Sequence, residues 1–390
     1  MKNKTETNKV DFQKAKNRAS AKRTLRKLRI PACILAVLIA AAAVYTALGE
    51  TRRSNFADSF KAIPSTLRSS AGYPFNEDDL SLEKLALVGD KPMLISKSSV
   101  QVLSQEADIL QEIYPDWADT RAVSVNGRAL IYSNNSNKAM LISRTDTLAS
   151  FSEEGTVVTG AVSRCGRTAL SYTTDKAQSV VKVYSPRQKT DFQWNCSRDY
   201  VSSLSLSSSG KAVLISAMGV DNAEIYSRIV LFKTSKTEPE FDVKIENTSI
   251  IKVVYAARGK YVAIGDNKTL ILNSKGEIKT EIPYSYNSLF AVDCDSEGNT
   301  LLCCKVSGGS KIRVMKIPSL GSVKQFDIDY TPASADIRKG RIALAIDNTV
   351  NIYSPSGFKK ETYTCDNTVS TALITSAGIY TLENGSVCKY

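Results

Sequence analysis

The chain has 390 residues, of which 43% are hydrophobic and 23% charged, with 51 Lys and Arg against 39 Asp and Glu and no histidine. That length leaves ample room for a buried core, in one large domain or two to three smaller ones. The missing histidine excludes Ser-His-Asp and Cys-His nucleophile arrangements, histidine metal sites and the commonest general acid and base, and leaves carboxylate chemistry open.

The formal charge of +12 is unevenly placed. Residues 1–29 hold eleven Lys and Arg against Glu6 and Asp11, which concentrates +9 in this segment and leaves the rest of the chain nearly balanced. A balanced body has no strong electrostatic footprint for DNA or RNA, so no nucleic-acid partner is expected. Next comes "IPACILAVLIAAAAVYTAL", Ile30 to Leu48, nineteen positions without a charge. As a helix it spans roughly 28 Å, close to the ~30 Å hydrocarbon thickness of a bilayer, and residues 30–49 are read as one transmembrane helix. Pro31 falls in its first turn, where the missing N–H costs little. The basic run before it predicts a cytoplasmic tail over residues 1–29 and an extracytoplasmic remainder. A cleaved signal peptide has the same order of features, but this apolar run is longer than its usual hydrophobic region. The "IPAC" tetrapeptide is not a lipoprotein box, because Cys33 opens the apolar segment instead of following it.

Residues 50–71 are expected to form a stalk or linker. Phe56, Phe60 and Ile63 are spaced as one face of a short amphipathic helix that stops before Pro64, packed on the following domain or lying on the bilayer surface.

From about residue 82 a short phrase returns every 40 residues or so, centred on Gly89, Gly127, Gly166, Gly210, Gly259, Gly298, Gly340 and Gly378. After each glycine come two short runs rich in Val, Ile, Leu and Tyr, too short and too β-branched for helical repeats. These inner runs are almost continuously apolar, whereas later segments such as "EFDVKIE" and "QFDIDY" alternate, with Phe241, Val243 and Ile245 set against Asp242, Lys244 and Glu246. Buried inner strands followed by a half-wet outer strand describe a propeller blade. The expected fold is therefore all-β, a β-propeller over residues 72–390 with eight blades, or seven if the ends merge differently. The eighth unit stops at "SVCKY", Ser386 to Tyr390, after three strands; residues from "GYPFNEDDLS", Gly72 to Ser81, are expected to supply its fourth and close the ring.

Several local motifs fail as chemistry. In "SLSSSGKAVLISA" the Gly210-Lys211 pair lacks the first glycine and the hydroxyl of a phosphate loop, having Ser205 and Ala212 there. "DCDSEGN", Asp293 to Asn299, approaches a calcium loop but has Cys304 at the required glutamate position. Outside the apolar segment seven cysteines remain, an odd number without a C-x-x-C pair, which argues against a disulfide framework or a zinc knuckle. Cys303 and Cys304 lie mid-strand, where neighbours point to opposite faces, and are expected as packed core residues rather than a vicinal disulfide. Trp194 with Tyr200 after it, and Trp117 in a similar junction, are expected to pack between neighbouring blades, the alternative being an exposed contact surface.

The order of basic tail, membrane helix, "YPF" at Tyr73 to Phe75, "SVQVLSQEADIL", "AVSRCGRTALSY" and "DFQWNCSRDYVSSLSLSSSGKAVLISAMG" resembles an uncharacterised family of membrane-anchored, WD40-like β-propeller proteins of Gram-positive bacteria. The resemblance implies a propeller outside the membrane and brings no established activity or functional residues. The expected function is non-enzymatic: a single-pass, membrane-tethered module that binds or scaffolds a protein or cell-envelope component, with no cofactor and no assigned catalytic, binding or metal residues. The alternative is an extracytoplasmic enzyme with carboxylates or a quinone cofactor in the central channel. A basic tail that binds anionic lipid and relays a signal is a third reading, but topology control already accounts for that tail.

Overall fold

The computed structural model describes residues 72–76, 82–256, 259–306 and 309–390. The basic tail, the Ile30 to Leu48 segment and the stalk around Phe56, Phe60 and Ile63 lie outside the described residues. Among the described residues no helix is long and apolar enough to cross a membrane.

Among the described residues thirty-one strands, β1 to β31, form eight antiparallel sheets, seven of four strands and one of three. Each sheet is a blade. The first strand of each lies innermost: β1 (Leu82–Val88), β5 (Arg121–Val125), β9 (Val157–Val162), β13 (Tyr200–Leu206), β17 (Ile250–Tyr255), β21 (Leu289–Cys294), β25 (Ser334–Arg338) and β29 (Val369–Ile374). The upper face is defined as the side where these inner strands begin, and the lower face as the side where they end. The eight repeat glycines sit on the lower face, between the first and second strands, and all have positive φ. Gly298 shows why: its φ is +80° and a Cβ would lie 2.9 Å from the Ala256 Cα, so the turn needs both the left-handed backbone and the missing side chain.

Eight apolar clusters hold the ring together, each straddling two adjacent blades. This placement explains the continuous apolar runs. Side chains alternate along a strand, and each face meets a neighbouring blade, so both parities are buried. In β22 (Thr300–Lys305), Cys303 packs toward blade 7 and Cys304 toward blade 5. The outer strands have only one covered face. In β16 (Phe241–Glu246), Phe241 and Ile245 are buried while Asp242, Lys244 and Glu246 are not.

The inner strands of adjacent blades are not paired by backbone ladders. Side chains bridge them instead: the Val253 and Tyr255 N–H groups donate to Ser203 and Ser205 Oγ at 3.1 and 2.9 Å, and the Ala372 N–H to Ser334 Oγ at 3.0 Å. Closure follows the expected route. Blade 8 ends with β31 (Ser386–Lys389), and Phe75 lies antiparallel beside it, with Phe75 N–H to Val387 O at 2.8 Å and Val387 N–H to Phe75 O at 3.0 Å. Because β31 runs from the upper to the lower face, Phe75 is approached from below, and Tyr73 OH accordingly donates to Ser104 O, just after β3 (Val100–Leu103) on the lower side, at 2.9 Å.

Candidate functional site: the central channel and the upper rim

The inner strands enclose a cavity of about 810 Å³. Its wall is polar where the strand sequences break their apolar run: Lys252 on β17, Asp293 and Cys294 on β21, and Asp336 on β25 all line it. Both carboxylates clamp the next blade, as the serines do. Asp293 Oδ2 accepts from the Ile337 N–H at 2.8 Å, and Asp336 Oδ2 from the Ile374 N–H at 2.9 Å. Asp336 is only 3% exposed. Burial, reinforced by the neighbouring Asp293 carboxyl, pushes its carboxyl up to about 8, against the opposing Ile374 hydrogen bond, so it carries a proton at neutral pH. Cys294 and Asp293 hold the Lys252 ammonium above its usual range despite burial, while burial pushes the Cys294 thiol up. The cluster brings together an ammonium, two carboxyl groups and a cysteine sulfur, a set suited to hydrogen bonding.

On the lower face, charged side chains narrow the channel mouth. Arg338 reaches from blade 7 past blade 8 to blade 1, donating to Gly89 O at 2.8 Å and pairing with Asp90 at 3.6 Å. Arg164 of blade 3 meets Ser296 of blade 6 at 3.5 Å.

The upper rim is different. Among the described residues, seven exposed large hydrophobic side chains lie on it along blades 4 to 6, Tyr200, Val220, Ile225, Ile251, Tyr286, Phe290 and Tyr330, with Tyr114 after blade 1 apart from them. Ile251 and Phe290 occupy bulges near the starts of β17 and β21, where one extra residue turns a side chain out of the ladder. Val220 and Ile225 face each other at the end of a hairpin built from β14 (Ala212–Asp221) and β15 (Glu224–Lys233). Each strand has ten residues, while the corresponding strands of the other blades have four to six.

The residues singled out from sequence fall in place as follows. Gly210 is a hairpin glycine beside Arg167, and Lys211 leads into β14 without any phosphate cradle. Asp295 makes a turn, its Oδ1 accepting from the Glu297 and Asn299 N–H groups at 2.9 Å each. Burial raises the Cys303 and Cys304 thiols to about 12 and about 11. Trp194 packs on Phe232 with centroids 5.4 Å apart, and Trp117 is buried between blades 1 and 2. Tyr200, expected to pack between blades, instead stands exposed on the upper rim, at the very start of β13. Sequence reasoning missed Lys252, Asp293 and Asp336; the available signal was a charged residue inside an apolar inner strand, as in "LFAVDC" and "SADIR".

The model of a family of unknown function, DUF5711, matches residues 83–386. The chain belongs to that family. The matched span begins in the first blade and ends in the last, so this DUF5711 member carries an eight-bladed, WD40-like β-propeller. Solved structures agree on the fold. The chain is similar to Sqt1 of Saccharomyces cerevisiae, at 11% identity and a TM-score of 0.57 over 83% of this chain and 99% of that one. It is similar at 12% identity and 0.57 to the C-terminal WD40 domain of Sif2, over 81% and 99% of the two chains. The computationally designed protein Ika8 gives 9% identity and 0.57, over 83% and 98%. No curated protein matches the chain in sequence.

Proposed function

We propose that this DUF5711 protein is a membrane-tethered, extracytoplasmic propeller that binds or scaffolds a protein or cell-envelope component. The observation that carries the reading is the apolar arc on the upper rim, opposite the face from which the chain reaches Phe75. Fold alone assigns no function, and the reading rests on the arc and on the charge pattern of the N-terminal sequence.

An enzymatic reading has one observation in its favour, the Asp293–Asp336 pair in the channel. Their bonds to the Ile337 and Ile374 N–H groups already account for both carboxylates as clamps between blades. Binding is therefore the better-supported reading.

Two measurements test it. Protease added outside intact spheroplasts is expected to digest the propeller while a tag on the basic tail survives; a protected propeller would overturn the topology. Cross-linking in native membranes is expected to yield a discrete, reproducible adduct. A chain that cross-links to nothing specific would overturn the binding role.

A further inference from the structure

The blade 4 hairpin is an overhang. β13 pairs with β14 only from Tyr200 opposite Met218, so Gly219 to Asp221 extend past the inner strand, and their edge on that side has no neighbouring strand. A two-residue turn closes the hairpin, with Asn222 and Ala223 both at positive φ. An apolar tip projecting beyond its sheet is costly in water unless something covers it. Val220 at 69% and Ile225 at 50% exposure have no such cover.

Below the tip the hairpin is braced. Asp199, itself buried, accepts from Tyr226 OH at 2.6 Å and pairs with Arg228 at 2.6 Å, and Arg228 also pairs with Asp242 of β16. Lys244 lies 4.6 Å from the Tyr226 ring centroid and pairs with Asp221 at 3.1 Å. A Cβ on Gly219 would lie 2.6 Å from Asp199 Oδ1, so that position admits only glycine if the Tyr226–Asp199 bond is to form. The brace holds the tip in one orientation before any partner arrives, which lowers the ordering cost of docking.

Charge selects the partner. The overhang and β16 carry Asp221, Glu224, Asp242 and Glu246 against Arg228 and Lys244. A second copy docked tip to tip would set like charges against each other. An anionic lipid surface would be repelled by the same excess of acidic side chains. We propose that the overhanging hairpin, with Tyr200, Ile251 and Phe290 beside it, is the docking site for a protein segment whose apolar side chains are ringed by Lys and Arg. This rests on the binding-module reading and names where and what it binds.

The test uses the full chain in phosphatidylcholine nanodiscs, with a 14-residue Leu/Lys amphipathic peptide and its Leu/Glu counterpart as probes. The Leu/Lys peptide is expected to bind, and the Leu/Glu peptide not. The V220S/I225S and D221K/E224K variants are each expected to weaken binding at least tenfold, while F358S on the lower face leaves it unchanged. Equal binding of both peptides, or affinity indifferent to the hairpin variants, overturns the proposal, as does self-association or binding to anionic vesicles that the hairpin variants abolish. Circular dichroism of each variant separates lost docking from lost fold. Cross-linking in membranes divides the two readings: an adduct that persists in V220S/I225S overturns the hairpin assignment and leaves the module reading intact, whereas no adduct even from the wild-type chain overturns both.

Discussion

Asp336 ties protonation to folding through one side chain. Its carboxyl is raised in the folded protein to about 8, from an unfolded value near 3.8. Between those values the folded chain holds a proton that the unfolded chain has released, so stability is greatest at the acidic end and declines as pH rises toward 8. The variant D336N keeps an oxygen to accept from the Ile374 N–H and removes the titration. Thermal unfolding at pH 4.5 and pH 8.5 is expected to show the variant close to wild type at the lower pH and more stable, by on the order of 1 kcal/mol or more, at the higher. A pH-independent difference would show that burial does not raise the Asp336 carboxyl on folding. Cys303 and Cys304 make a simpler point at the same scale. Neighbours in sequence, they serve two different blade interfaces, and their burial keeps both thiols neutral.

The repeated unit is an element with two separable constraints at its glycine. At Gly340 the φ is +72° and a Cβ would meet nothing within 4 Å, so Gly340→Ala pays only for backbone conformation, about 1 kcal/mol. At Gly298 the same backbone requirement is joined by the clash with Ala256, and Gly298→Ala is expected to cost about 2 kcal/mol or more. Denaturant titration of the two variants checks the order; equal losses would mean that the Ala256 strand yields freely. The closing strand is the other element open to test. Phe75 packs with Tyr73 against Tyr380, Leu382 and Val387, and its two backbone bonds to Val387 supply the outer pairing of blade 8. Phe75→Ala is expected to destabilise the ring by about 2 kcal/mol, less than a fully buried phenylalanine because Phe75 is half-buried. Unfolding unchanged from wild type would show that blade 8 is stable without this packing.

At the scale of the whole molecule, the period of about 40 residues, the paired apolar runs and the truncated last unit made the eight-bladed ring readable from sequence, because each blade repeats the same burial problem. The local motifs were readable for the same reason: Gly210-Lys211 and "DCDSEGN" occupy positions where every copy turns. The channel cluster was not readable as a cluster, since Lys252, Asp293 and Asp336 stand on three consecutive blades and each shows in sequence only as a lone charge in an inner strand; the packing of those blades brings them to one cavity. The upper arc escaped likewise. Tyr200, Val220, Ile251 and Phe290 are scattered apolar residues in the chain, indistinguishable there from core, and their exposure depends on two bulges and on a hairpin that outruns its sheet. Sequence by itself determined the repeat, the strand order and the means of closure, because alternation, turn chemistry and blade length act locally. Which side chains meet across the lumen, and which remain uncovered on the rim, was decided by tertiary structure, because both depend on distances between blades that no single repeat contains.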